Sequence, residues 1–134
     1  MDTNVLIAGL RSKHGFSNKL LQRIGNPDFA VAISAALILE YESVLKRRGI
    51  VPYTSIEIDE ILDYICQAGQ KHSIYFRWRP WLKDSSDDMI LELAVSSRAN
   101  YIVTFNTDDF DDIETFGIEL ITPKKFINIL SGKK

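Results

Sequence analysis

Acidic residues at the edges of apolar runs are the groups in this chain best placed to do chemistry. Asp2 stands in M-D-T-N-V-L-I, Glu40 in L-I-L-E-Y, Asp84 and Asp87 in K-D-S-S-D-D, and Asp109 in T-F-N-T-D-D-F. Carboxylates that ionise side by side repel, and a bound divalent cation relieves that repulsion. All-oxygen donors suit Mg²⁺ or Mn²⁺ better than a softer structural zinc site. A cation held in this way lowers the pKa of a bound water and neutralises a leaving oxygen, which is the chemistry of phosphodiester cleavage. Neither His14 nor His72 falls in a motif, so no imidazole acid–base pair competes with that reading.

The elements that must position these acids follow from periodicity. T-N-V-L-I-A-G-L reads as the end of a central strand leading into a turn or helix. With an acid at the second position, either the natural start lies upstream or that edge of the sheet is short. A helix follows Gly15 and Phe16, with Leu20, Leu21 and Ile24 on its apolar face. Phe29 to Ile33 is a compact strand stopped by Ser34. Ala35 to Arg48 is a helix with Leu37, Ile38, Tyr41, Val44 and Leu45 at helical spacing, ended by Gly49. Thr54 or Ser55 caps a further helix running to about Ala68, with Ile58, Ile61, Leu62 and Ile65 inward. His72 to Leu82 reads as extended, with Arg77 and Arg79 alternating with Trp78 and Trp81 and with Pro80 opposing a regular interior strand. Ser85 or Ser86 opens a helix that buries Ile90, Leu91, Ala94 and Val95 and leaves at Asn100. Tyr101 to Phe105 is a strand, I-E-L-I-T another, and P-K-K-F-I-N-I-L a closing helix with Pro123 in its first turn.

Strands alternating with helices predict an α/β fold, a three-layer α/β/α sandwich around a central, mainly parallel sheet. Loops at the carboxyl ends of such strands converge, so the acids can meet there. The 134 residues make one domain, 1–134. Hydrophobic residues at 46% and charged residues at 25% exclude a disordered chain. No apolar run reaches bilayer length and no signal segment opens the sequence, which predicts a cytoplasmic protein. Cys66 is the single cysteine, excluding an internal disulfide and a thiolate metal cluster; it reads as a packed helical residue. The net charge of -2 gives no global attraction to nucleic acid. Candidate local patches are Lys46, Arg47 and Arg48, and Arg77, Arg79 and Lys83 beside the tryptophans.

The ordered acidic motifs resemble the PIN domain, a family of metal-dependent ribonucleases, and within it the toxin components of toxin–antitoxin pairs. D-T-N-V-L-I is similar to the family's opening motif and puts the first metal-site acid at Asp2. A-I-S-A-A-L-I-L-E-Y resembles the second motif, a strand, a serine and a helix bearing Glu40. D-S-S-D-D-M-I-L-E-L-A resembles the third, where Asp87 is the matching acid because Ile90 and Ala94 keep their spacing behind it. Y-I-V-T-F-N-T-D-D-F resembles the fourth, with Thr104 and Asn106 as positioning groups. Asn106 stands where many members carry an acid, and the N-x-x-D-F spacing selects Asp109 over Asp108. G-I-E-L-I-T-P-K-K-F-I resembles the closing strand and helix of the toxin-like subgroup.

What the resemblance implies is a Mg²⁺- or Mn²⁺-dependent endoribonuclease that hydrolyses single-stranded RNA. Asp2 and Asp87 are expected as direct ligands, and Glu40 and Asp109 complete the shell or orient the attacking water. Thr3, Asn4, Ser34, Thr104 and Asn106 are expected to hydrogen-bond those carboxylates or a phosphate. The resemblance further implies a protein antitoxin and homodimerisation. The alternative is a PIN-like interaction module without activity. An aspartyl phosphatase is disfavoured, because the paired acid such an enzyme needs two residues on is Asn4 here.

Overall fold

The computed structural model describes residues 1–27, 29–71, 85–105 and 117–132, with the backbone alone for 85–88. The chain turns into a helix directly after Asp2: α1 spans Thr3–Arg11, where the sequence pattern predicted the end of a strand. The β-branched Val5 and Ile7 favour extended backbone only weakly, and burial decides the outcome. Val5 and Leu6 are fully buried, each contributing on the order of 1.5–3 kcal/mol. Extended backbone remains at Asp2, whose N–H donates to the carbonyl of Val103 at 2.9 Å.

α2 (Phe16–Gln22) crosses α1 at Gly9. A Cβ there would collide with the Leu21 side chain and lie 3.0 Å from the Ser17 carbonyl, so glycine lets the helices cross this closely without displacing Leu21. Asn18 pins it by donating to the Gly9 carbonyl at 2.8 Å. β1 is only Ala32–Ile33, shorter than the predicted Phe29 to Ile33. α3 (Ala35–Leu45) stops before the predicted Arg48 and buries Leu37, Tyr41 and Leu45. α4 (Ser55–Ala68) has its predicted bounds and buries Ile58, Leu62 and Ile65. Cys66 is half-buried on α4, as a packing residue should be.

β2 (Gln70–Lys71) is an exposed polar pair that the sequence pattern missed; it is a strand only through parallel pairing with β1. The predicted extended segment from His72 to Leu82, and Asp84, lie outside the described residues. α5 (Ser85–Ser97) buries Ile90, Leu91, Leu93 and Ala94. Its exit is marked by Arg98 in the left-handed region, with φ 57°, ahead of the predicted Asn100. β3 (Tyr101–Val103) pairs in parallel with β4 (Glu119–Ile121), and α6 (Pro123–Leu130) follows.

The fold is thus α/β, with every strand pairing among the described residues parallel. The pairing forms two two-stranded sheets, β1–β2 and β3–β4, where a single continuous sheet was expected. A cleft of about 480 Å³ separates them, bordered by Val31 and Ala32 on one side, Ile102 and Val103 on the other, and Met1. One core cluster joins Leu6 to the buried faces of α3, α4 and α5; a second gathers Val5, Leu20, Val103, Ile121, Phe126 and Ile127. Among the described residues no helix is long and apolar enough to cross a membrane.

Candidate active site

Asp2 occupies the position before α1 where an aspartate would ordinarily cap the helix. It makes no side-chain cap hydrogen bond. Its carboxylate turns instead toward the end of β3, where Oδ2 accepts a 2.7 Å hydrogen bond from the Thr104 hydroxyl. Both residues are buried, Thr104 completely. The Thr104 N–H donates to the Ile121 carbonyl at 2.9 Å, so β4 holds the residue that holds the acid. A hydrogen bond to a charged group contributes about 1.5–3 kcal/mol and is shielded here from water.

A second link comes from α3. The Tyr41 hydroxyl donates to the carbonyl of Met1, the residue before Asp2. Tyr41 itself follows Glu40, so one hydrogen bond ties together the chain neighbours of two candidate acids. Burial, reinforced by the Asp2 charge, pushes the Tyr41 hydroxyl above its ordinary range and keeps it a donor. Burial likewise lowers the Met1 ammonium, opposed by the Asp2 charge. Tyr41 reads in the sequence as one member of an apolar stripe. The missed signal is that a tyrosine buried among aliphatic residues needs a partner for its hydroxyl.

The remaining candidates divide sharply. Glu40 lies half-buried on α3. The Ser34 hydroxyl accepts from the Leu37 N–H at 3.1 Å and caps α3, which accounts for that oxygen structurally. Asn4 is exposed. Thr3 is buried beside Asp2, and its Oγ1 has no hydrogen-bond partner among the described residues. Asp87 falls in the first turn of α5, whose body packs against α3, β1 and β3; its side chain, with Asn106, Asp108 and Asp109, lies outside the described residues. Among the described residues no three His, Cys, Asp or Glu side chains come together as a metal cluster.

The donor chemistry that is present fits a hard divalent cation: a buried carboxylate oriented by a hydroxyl, next to an orphaned threonine oxygen. Of the basic candidates, Lys46 is committed to carboxylates, at 2.7 Å from Asp59 and 3.3 Å from Glu42. Those partners raise its pKa, the hydrogen bond to Asp59 most.

A family model described as PIN domain matches residues 1–108 of the chain. No curated protein and no solved structure matches it significantly.

Proposed function

The chain belongs to the PIN domain family, whose members are generally nucleases, and on that premise we propose a metal-dependent endoribonuclease acting on single-stranded RNA. The observation that carries the reading is the diversion of the Asp2 carboxylate from its own helix to Thr104. An aspartate kept for stability at this position would cap α1, because free N–H groups there favour a carboxylate.

In this proposal Asp2, Glu40, Asp87 and Asp109 are the acids of the centre, and Mg²⁺ or Mn²⁺ is their cofactor. When bound, the cation supplies a water of lowered pKa and neutralises charge developing on the phosphodiester. Thr104 holds Asp2 in one orientation by donating to Oδ2. Tyr41 limits the movement of Asp2 relative to Glu40 through the Met1 carbonyl. The Thr3 hydroxyl is a donor or acceptor in reserve for water or phosphate. The parallel pairing of β1 with β2 and of β3 with β4 supports the layered α/β/α arrangement in which these loops face one side. A toxin role, a protein antitoxin covering the acidic pocket, and a homodimer complete the reading. They rest on the likeness of G-I-E-L-I-T-P-K-K-F-I to the toxin-like subgroup.

The test is cleavage of labelled single-stranded RNA by purified protein with Mn²⁺, compared with EDTA and with Asp87→Asn of verified folding. Metal-dependent cleavage that disappears in the variant is the expected result. A folded, metal-supplied protein that leaves varied RNAs intact is instead an interaction module.

A further inference from the structure

Phe16 opens α2 with its side chain 36% exposed, although a phenylalanine gains most when covered. Two lysines from different helices hang over its ring, Lys19 Nζ at 4.8 Å from the centroid and Lys124 Nζ at 5.9 Å. α2 and α6 pack together, and neither contains an acidic residue. The ion pairs among the described residues belong to Lys46 instead. Among the described residues Lys19 and Lys124, with Lys125 beside them, therefore form a cationic surface without an ion pair, on a chain whose net charge is -2.

A purely structural role explains this surface poorly. Lys124 and Lys125 sit in the first turn of α6, where the helix dipole disfavours a cation. The attraction of a lysine to an exposed ring is weak, since water competes for the ammonium. An exposed aromatic ring flanked by lysines is, however, the combination that single-stranded nucleic acid recognises: the ring stacks on a base and the ammonium groups meet the neighbouring phosphates. Its position suits such a role. α6 follows directly on β4, whose Ile121 carbonyl accepts from Thr104, the residue that holds Asp2.

We infer that Phe16, Lys19 and Lys124 form a platform that binds single-stranded RNA beside the Asp2 site, the two lysines swinging off the Phe16 ring to adjacent phosphates as one base stacks on it. The identity of the polymer rests on the nuclease reading above.

The experiment is binding of a short labelled oligouridine in EDTA, which separates binding from cleavage. The wild-type protein is compared with Phe16→Ala, Phe16→Trp and the Lys19→Gln/Lys124→Gln double variant, with melting temperatures measured for each. Phe16→Ala should weaken binding about tenfold and Phe16→Trp should restore it. The double lysine variant should reduce the slope of log affinity against log salt by about 1.4. Wild-type protein that does not bind, or variants that bind with unchanged affinity and salt slope, would overturn the platform. The two readings fail separately. Cleavage in Mn²⁺ with binding indifferent to Phe16 removes the platform alone, whereas Phe16-dependent binding without cleavage removes the nuclease reading alone.

Discussion

Asp2 and Thr54 hold the same position at the starts of two helices and use it in opposite ways. The Thr54 hydroxyl accepts from the Glu57 N–H at 3.2 Å while the Glu57 carboxylate accepts from the Thr54 N–H at 2.9 Å, a complete capping box. Ser34 and Thr122 likewise cap α3 and α6. Asp2 leaves α1 without a side-chain cap and engages Thr104 across the fold. Where capping groups serve only stability they stay local. A carboxylate withheld from its own helix, buried and oriented by a distant hydroxyl adds no cap to α1, and the proposed metal centre would give it a different task.

The contrast is sharpest in Asp2→Asn, which retains an acceptor for Thr104 but loses the charge. Metal-dependent RNA cleavage should fall by more than about a hundredfold, since removing a group that merely orients a metal ligand already costs about 10–100-fold. Single-turnover cleavage alongside a melting curve checks it; near-normal activity would end the claim that Asp2 is kept for chemistry. Thr104→Val comes next, with cleavage reduced about 10–100-fold at an unchanged fold. Titration with Mn²⁺ should show a weaker apparent affinity for the ion, and unaltered metal dependence would reduce Thr104 to a packing residue.

Tyr41→Phe keeps the buried ring and removes only the donor to Met1. Its stability should drop by about 1 kcal/mol in urea denaturation, with a severalfold loss of cleavage. Loss of stability with full activity would show that the tether does not position the acids. At the other pole, Thr54→Ala should also cost about 1 kcal/mol and leave cleavage per folded molecule unchanged. A cleavage defect there would dissolve the distinction between the two helix starts.

Local signals in the sequence identify α4 almost to the residue, because its cap, its apolar spacing and its terminating glycine all lie within one segment. The identity of α1 is hidden. Val5 and Ile7 mimic a strand, and only the burial of Val5 and Leu6 between two core clusters selects the helix. β2 is equally illegible, since Gln70 and Lys71 are exposed and owe their conformation to Ala32 and Ile33. Among the candidate site residues, Asp2 and Thr104 are legible through the resemblance of their motifs, and the structure joins them by a hydrogen bond. The link from Tyr41 to Met1 is not, because nothing local connects positions 40 residues apart. Ser34 adds a role that the site reading did not include: its hydroxyl caps α3 by accepting from the Leu37 N–H.

The hydrogen bond between Thr104 and Asp2 spans 102 positions of sequence. That separation has a kinetic meaning. The α3–α4 pair closes a short loop and can collapse early, whereas seating Asp2 requires opposite ends of the chain to find each other against a larger loop-closure entropy. The acid is therefore expected among the last groups fixed. The hydrogen bond that orients Asp2 can form only once β3 and β4 have brought Thr104 into place, so the carboxylate is expected to gain its fixed orientation after the local helices have formed.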